Sequence, residues 1–374
     1  MLRTARTFLI CSLLAGAMTE LRAQAATRSP AASPSPPLAP TATPSAAPPP
    51  NADGLIDSMG AADLQQAIQL LKANYINPEA VTDIELNRSM LSGVLARLGR
   101  GVMLLPDRNA AAAEASAAFF GEIIEGHIAY LRVGALNAAN VQAIDAFLQG
   151  FTGKKIDAVV VDLRASAGAS DFATAAEFAK RLCPKGTPLF TLRKPSAKQE
   201  RAFTSDREPS YRGLMIVLAD GDTAGPAEAI AGTLRLHNKA LVIGQPTAGR
   251  AVEYSDLPLH GGRMLRVAVA EAVLPEGKPL FPAGLTPDVP VELPAADKRV
   301  IFEQSIAKGI APFVFEPERP HLNEAALLAG RNPELEAMEA TQRRGRNADK
   351  PLPRDTVLQR ALDVVTSLAI YQQR

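Results

Sequence analysis

The chain has 374 residues, 47% of them hydrophobic, with 40 basic against 39 acidic side chains and no tryptophan. A formal charge of +1 gives no electrostatic reason to expect nucleic acid, and the run Arg343-Arg344-Gly345-Arg346 reads as a solvated loop. The length is enough for one large core domain and a helical segment beside it.

At the start, Arg3 and Arg6 precede an apolar run from Thr7 to about Met18, and Ala23-Gln24-Ala25 offers a small-x-small cleavage site. The run is roughly 12 residues, short of the about 20 that cross a bilayer. Residues 1–25 are therefore expected to be a secretory signal. Cys11 invites lipid attachment, but the bulky Ile10 before it does not suit such a site. Residues 26–52 are almost entirely Ala, Pro, Ser and Thr, a composition that stays extended and cannot bury a core. No second hydrophobic run of spanning length follows, so the mature protein is expected in the periplasm or outside the cell. Only Cys183 survives removal of the signal, which excludes an intrachain disulfide; on an apolar helix face it reads as core. His127, His237, His260 and His321 are scattered without a second ligand at helical spacing, and no metal or other cofactor is expected.

Residues 53–118 read as a helical lead-in. Leu64, Ile68, Leu71 and Tyr75 recur at helical spacing, Asn77-Pro78 breaks the pattern, and 86–98 restarts it. From Gly126 the pattern changes. Strands are expected at 128–133, 156–163, 187–192, 213–219, 240–243, 252–257 and 263–274, and helices at 138–148, 171–182 and from Pro226. Val159-Val160-Val161 is a continuous apolar run, as in a strand covered on both faces. Alternating strands and helices predict a mainly parallel, layered α/β core over 119–296. Residues 297–374 form an extension: 297–350, rich in Pro and charge, is expected to wrap the surface. A terminal helix at 355–370 follows, capped by Asp355, with Leu358, Ala361, Leu362 and Val365 on one face.

Two strand-to-helix turns could carry chemistry. Ala219-Asp220-Gly221-Asp222-Thr223-Ala224-Gly225-Pro226 leaves one strand and opens a helix, with Pro suited to the first helical position. Arg164-Ala165-Ser166-Ala167-Gly168-Ala169 leaves another. Together they could form a cleft at the carboxyl ends of the strands; they could equally be two ordinary connections.

The order of segments is more telling than either turn. Asp162-Leu163-Arg164-Ala165-Ser166-Ala167-Gly168-Ala169 resembles the Asp-Leu-Arg-Asn-Asn-Pro-Gly-Gly of the carboxyl-terminal processing, or tail-specific, serine peptidases. Thr223-Ala224-Gly225-Pro226-Ala227-Glu228 resembles their Ser-Ala-Ser-Ala-Ser-Glu. Ile243-Gly244-Gln245-Pro246-Thr247-Ala248-Gly249-Arg250-Ala251 resembles Val-Gly-Glu-Pro-Thr-Phe-Gly-Lys-Gly, and Gly284-Leu285-Thr286-Pro287-Asp288 resembles Gly-Ile-x-Pro-Asp. The likeness covers roughly 126–292. It implies a crotonase/Clp-protease-like layered α/β core with an N-terminal helical segment and a C-terminal helical extension. Family members usually insert a PDZ domain, a peptide-binding module; here only about 20 residues separate Leu105 from Ile128, so that domain is expected to be missing.

The resemblance also assigns roles, and the roles fail. The family attacks the peptide carbonyl with a serine whose proton passes to a neutral lysine. Those positions fall at Gly225, which has no side chain, and Arg250; arginine keeps its proton and cannot serve as the base. The polar helper position falls near Leu236, and the glutamine after the lysine falls at Tyr254. Pro226 has no N–H where the family uses one as an oxyanion donor. Loss of nucleophile and base together typically costs about a millionfold in rate.

The expected function is that of an exported, catalytically inactive homologue binding a peptide, an unfolded protein tail or a protein partner. Gly168, Ala169, Thr223 and Ala224 would line its cleft, and a homodimer would form through the N-terminal helices. The alternative is an active serine-type peptidase with a non-standard nucleophile, Thr223 or Ser166. A lyase or isomerase on the same scaffold would have to use Asp220, Asp222 or Glu228, and these form no evident acid–base pair.

Overall fold

The computed structural model describes residues 52–106, 117–151, 154–166, 171–315 and 352–372. The expected signal and spacer, together with Gly168, Ala169 and His321, lie outside the described residues. The chain divides into two units, residues 1–79 and 80–374. The described part of the first holds α1 (Ala52–Ser58) and α2 (Ala61–Asn74). Asp63 in the first turn of α2 accepts the Gly60 N–H at 3.2 Å, which closes that end of the helix.

The second unit opens with α3 (Asp83–Leu98), whose cap Thr82 accepts the Glu85 N–H at 3.3 Å. The helical reading of the lead-in ends here: β1 (Val102–Leu105) follows within four residues. The chain continues as β2 (Phe120–Ile124), β3 (Ile128–Arg132), α4 (Ala138–Gln149), β4 (Ala158–Asp162), α5 (Phe172–Lys180), β5 (Pro188–Lys194), β6 (Gln199–Thr204) and β7 (Leu214–Ala219). It ends as α6 (Pro226–Asn238), β8 (Leu241–Gly244), β9 (Val252–Pro258), β10 (Met264–Val273), β11 (Val289–Pro290), α7 (Ala295–Lys308) and α8 (Thr356–Gln372).

Six strands form one sheet in the order β11-β8-β7-β4-β3-β2, parallel except for β2 against β3. The second sheet, β1-β10-β5-β6 with β9 also on β10, is antiparallel throughout. The expectation of a mainly parallel core thus holds for one sheet of two.

Strand alternation explains the layering. Val159 and Val161 of β4 and Met215 and Val217 of β7 join a core with α4, α5, α6 and the second sheet. Val160, Ile216 and Leu218 point the other way, into a core completed by Ile301 of α7 and by Val357, Leu358, Ala361, Leu362 and Val365 of α8. Successive side chains of a strand face opposite sides, so a sheet covered on both must be apolar at every position. That is the origin of the unbroken valine run. Cys183 lies in the first core, and burial pushes its thiol up to about 12.

The terminal helix is tied down by charge as well as packing. Arg164, fully buried, makes paired hydrogen bonds to Asp162 (2.9 and 2.7 Å) and to Asp355 (3.0 and 2.8 Å). Asp355 also accepts the Leu358 N–H at 3.0 Å, so the expected cap is also an ion-pair partner. Tyr130 donates to Asp162 at 2.6 Å. Contrary to the surface-wrapping expectation for 297–350, α7 buries Lys298, Ile301 and Ser305; residues 316–351 lie outside the described residues.

Candidate functional site

β7 ends at Ala219, and the chain must turn sharply to begin α6. Gly225 caps that helix with φ 59° and ψ −122°, a conformation glycine adopts far more readily than residues with a β-carbon. Pro226 occupies the first helical position, where a missing N–H costs nothing to the helix. It also leaves no donor there for an oxyanion.

The turn is gripped by one carboxylate. Glu228, fully buried, accepts from the Gly225 N–H (3.0 Å) and Arg250 N–H (2.7 Å) on one oxygen. Its other oxygen accepts from the Gly249 N–H (2.7 Å) and the Thr247 hydroxyl (2.5 Å). Thr247 Oγ1 in turn accepts the Leu285 N–H at 2.8 Å. Gly249, at φ 61°, approaches so closely that a β-carbon there would meet the Pro282 carbonyl oxygen at 2.1 Å. The segments Ile243–Ala251 and Gly284–Asp288, read from sequence as separate motifs, are thereby bolted to the helix start.

Gly225 and Arg250 face the same open cleft of about 760 Å³, which Ser166, Ala224, Pro226 and Tyr254 also line. A β-carbon on Gly225 would lie 3.6 Å from the Arg250 carbonyl oxygen, in ordinary contact. Among the described residues lining the cleft there is no lysine and no histidine. Tyr254 donates to the Arg100 carbonyl at 2.7 Å, and burial raises its phenol above the ordinary value. Leu236 is not among the cleft residues; it lies ten positions beyond Pro226 on α6, about 15 Å away at 1.5 Å per residue.

The two alternative nucleophiles are engaged elsewhere. Thr223 is fully buried; its hydroxyl accepts the Asp220 N–H at 3.1 Å and donates to the Leu163 carbonyl at 3.2 Å. Ser166 donates to the same carbonyl at 2.6 Å. Leu163 O is therefore the joint between the two turns. Asp220 and Asp222 are also accounted for: Lys298 of α7 reaches both at 2.5 Å. Burial alone would lower that ammonium's pKa, but the two carboxylates hold it above its ordinary value, so Lys298 stays protonated and is no substitute base. Arg164, Asp355 and Lys298 were not singled out by the sequence as a unit, because their partners lie far away along the chain. Among the described residues no group of three His, Cys, Asp or Glu side chains could hold a metal ion, and no helix is long and apolar enough to cross a membrane.

Comparison with known proteins agrees with the motif order. Residues 127–291 match peptidase family S41. The chain is 27% identical over 228 residues to the carboxy-terminal-processing protease of Bartonella bacilliformis, covering 55% of this chain and 52% of that one. It is 28% identical over 164 residues to the chloroplastic carboxyl-terminal-processing peptidase 2 of Arabidopsis thaliana, covering 44% and 32%. Among solved structures, a photosystem II D1 C-terminal processing protease superposes with a TM-score of 0.42 at 21% identity, covering 60% of this chain and 54% of that one. The chain spans about a third to a half of the length of the curated relatives it matches. Residues 127–291 are thus a peptidase family S41 domain, and the relatives that this part of the chain resembles are carboxyl-terminal-processing peptidases.

Proposed function

We propose that this chain is an exported tail-specific peptidase homologue that has lost hydrolysis and keeps the cleft as a binding site for a peptide, an unfolded tail or a protein partner. The observation that carries the reading is the placement of Gly225 and Arg250 on one cleft, in the turn that Glu228 grips. A glycine cannot attack a carbonyl, and an arginine cannot take the proton. The engaged hydroxyls of Thr223 and Ser166 favour this reading over an active enzyme with a substitute nucleophile. Cleft roles for Gly168 and Ala169, and the missing PDZ domain, belong to the same proposal. So does a homodimer through the N-terminal helices, for which the solvent-facing Met90 and Leu91 of α3 are the support (59% and 44% exposed).

The test pairs the natural protein with the triple variant Gly225→Ser/Pro226→Ala/Arg250→Lys on a substrate with a flexible tail. Turnover is expected only from the repaired protein. Turnover by the natural protein that disappears on Thr223→Val or Ser166→Ala would defeat the inactive reading. A fluorophosphonate adduct mapped to either residue would do the same.

A further inference from the structure

The charged groups lining the cleft are nearly all committed to one another or to neighbours. Arg266 forms a two-pronged pair with Asp256 at 2.7 and 2.8 Å. Glu253 accepts from Arg201 at 2.5 Å, and Asp222 from Lys298 at 2.5 Å. Asp171 caps α5, its two oxygens accepting the Thr174 N–H (2.8 Å) and hydroxyl (2.6 Å). Arg250 is different. It is exposed, and among the described residues its guanidinium has no hydrogen-bond or ion-pair partner.

A guanidinium offers five N–H donors in a flat fork that matches a carboxylate. The backbone beside it adds no competing anion hole, because the Gly225 N–H is spent on Glu228 and Pro226 has none. A side chain at Gly225 would clash with nothing, its β-carbon meeting the Arg250 carbonyl oxygen at an ordinary 3.6 Å, and none is there to block a ligand. Along the same wall runs β9, whose residues Val252, Glu253, Tyr254 and Ser255 line the cleft and which pairs, among the described strands, with β10 alone. Its second edge can carry an extended chain.

We propose that the cleft takes a polypeptide by its free C-terminal carboxylate, with Arg250 as the carboxylate's partner. The proposal rests on the peptide-binding reading above and narrows it to chain ends. The position that would hold a proton-accepting amine in an active relative thereby becomes a fixed cation. A chain end docked there meets no nucleophile and stays whole.

The experiment uses the purified protein and three fluorescein-labelled versions of one short, unstructured, otherwise uncharged peptide, with binding read by fluorescence anisotropy. One version ends in a free carboxylate, one in an amide, and one in an amide preceded by a glutamate side chain. A charge-assisted pair at a partly open site predicts that the free acid binds roughly tenfold tighter than the amide. Arg250→Gln should remove that difference, and Arg250→Lys should keep most of it. If the glutamate amide matches the free acid, the site takes any carboxylate and the claim about chain ends is refuted. If acid and amide bind alike and Arg250→Gln changes neither, the carboxylate proposal fails while peptide binding stands. If none binds, both fail; if any peptide is cut, the inactive reading itself is overturned.

Discussion

Placing a serine at Gly225 should weaken the fold, whatever it does to the chemistry of the cleft. At Gly225 an added side chain would not collide, since the nearest atom to its β-carbon is the Arg250 carbonyl oxygen at 3.6 Å. The penalty is conformational. At φ 59° and ψ −122°, a residue with a β-carbon occupies sparsely populated backbone space at a cost of about 1–3 kcal/mol. The more restricted unfolded chain returns about 0.4–1 kcal/mol of this. Gly225→Ser should therefore destabilise by about 1–2 kcal/mol, and Gly225→Ala by the same amount, because strain and not the hydroxyl is responsible. Gly221→Ala, in the same turn with nothing within 4 Å of its β-carbon and no positive φ, should be neutral or slightly stabilising. Urea unfolding followed by circular dichroism measures all three, with thermal midpoints as a second readout at about 2–4 °C per kcal/mol. If Gly225→Ser and Gly225→Ala are as stable as the natural protein, the strained elbow is not there and the argument built on it falls.

Other expectations follow from the same contacts. Glu228→Gln turns an acceptor of four hydrogen bonds into a group that must point an N–H₂ at one pair of donors; a loss of about 2–3 kcal/mol is expected in urea unfolding, and an unchanged midpoint would remove Glu228 from its bracing role. Burial alone would raise the Asp162 carboxyl, but Arg164 and the Tyr130 hydroxyl hold it below its ordinary value of 3.8. Its contribution is thus complete above that pH and is lost as pH falls through the lower folded value. Urea midpoints measured from pH 5 downward should stay level and then drop below about pH 4; a level or rising profile there contradicts the pairing. For assembly, Met90→Glu/Leu91→Glu should convert a dimer to a monomer in light scattering without moving the unfolding midpoint, and a natural protein that is already monomeric would refute the proposed interface.

Much of the core could be read from sequence, for identifiable reasons. Strands covered on both faces, such as β4 and β7, write themselves as unbroken apolar runs, and α8 carries both a cap and a clean stripe. What stayed hidden was non-local or short. β1 is four apolar residues directly after a helix, with too little length to show a period of two. β6 is an edge strand beginning Gln199-Glu200-Arg201, polar as edges tend to be. α7 buries only three residues, one of them a lysine, so its face does not stand out from the proline- and charge-rich stretch around it. At the site, motif order led to Gly225, Arg250 and Tyr254, which do share a cleft; Leu236 does not, because counting along a helix says nothing about which end reaches the opening. The Arg164–Asp355 pair joins residues 191 positions apart, and no local pattern announces such a partnership.

The grip of Glu228 has a wider meaning. Three of its four donors are main-chain amides, so the contour of the helix entrance is written in backbone and one distant threonine rather than in the groups that would react. A lineage can exchange those groups while the mould around them keeps its form. The shape of the hollow and the chemistry on its wall are held by different atoms, so one can change while the other endures.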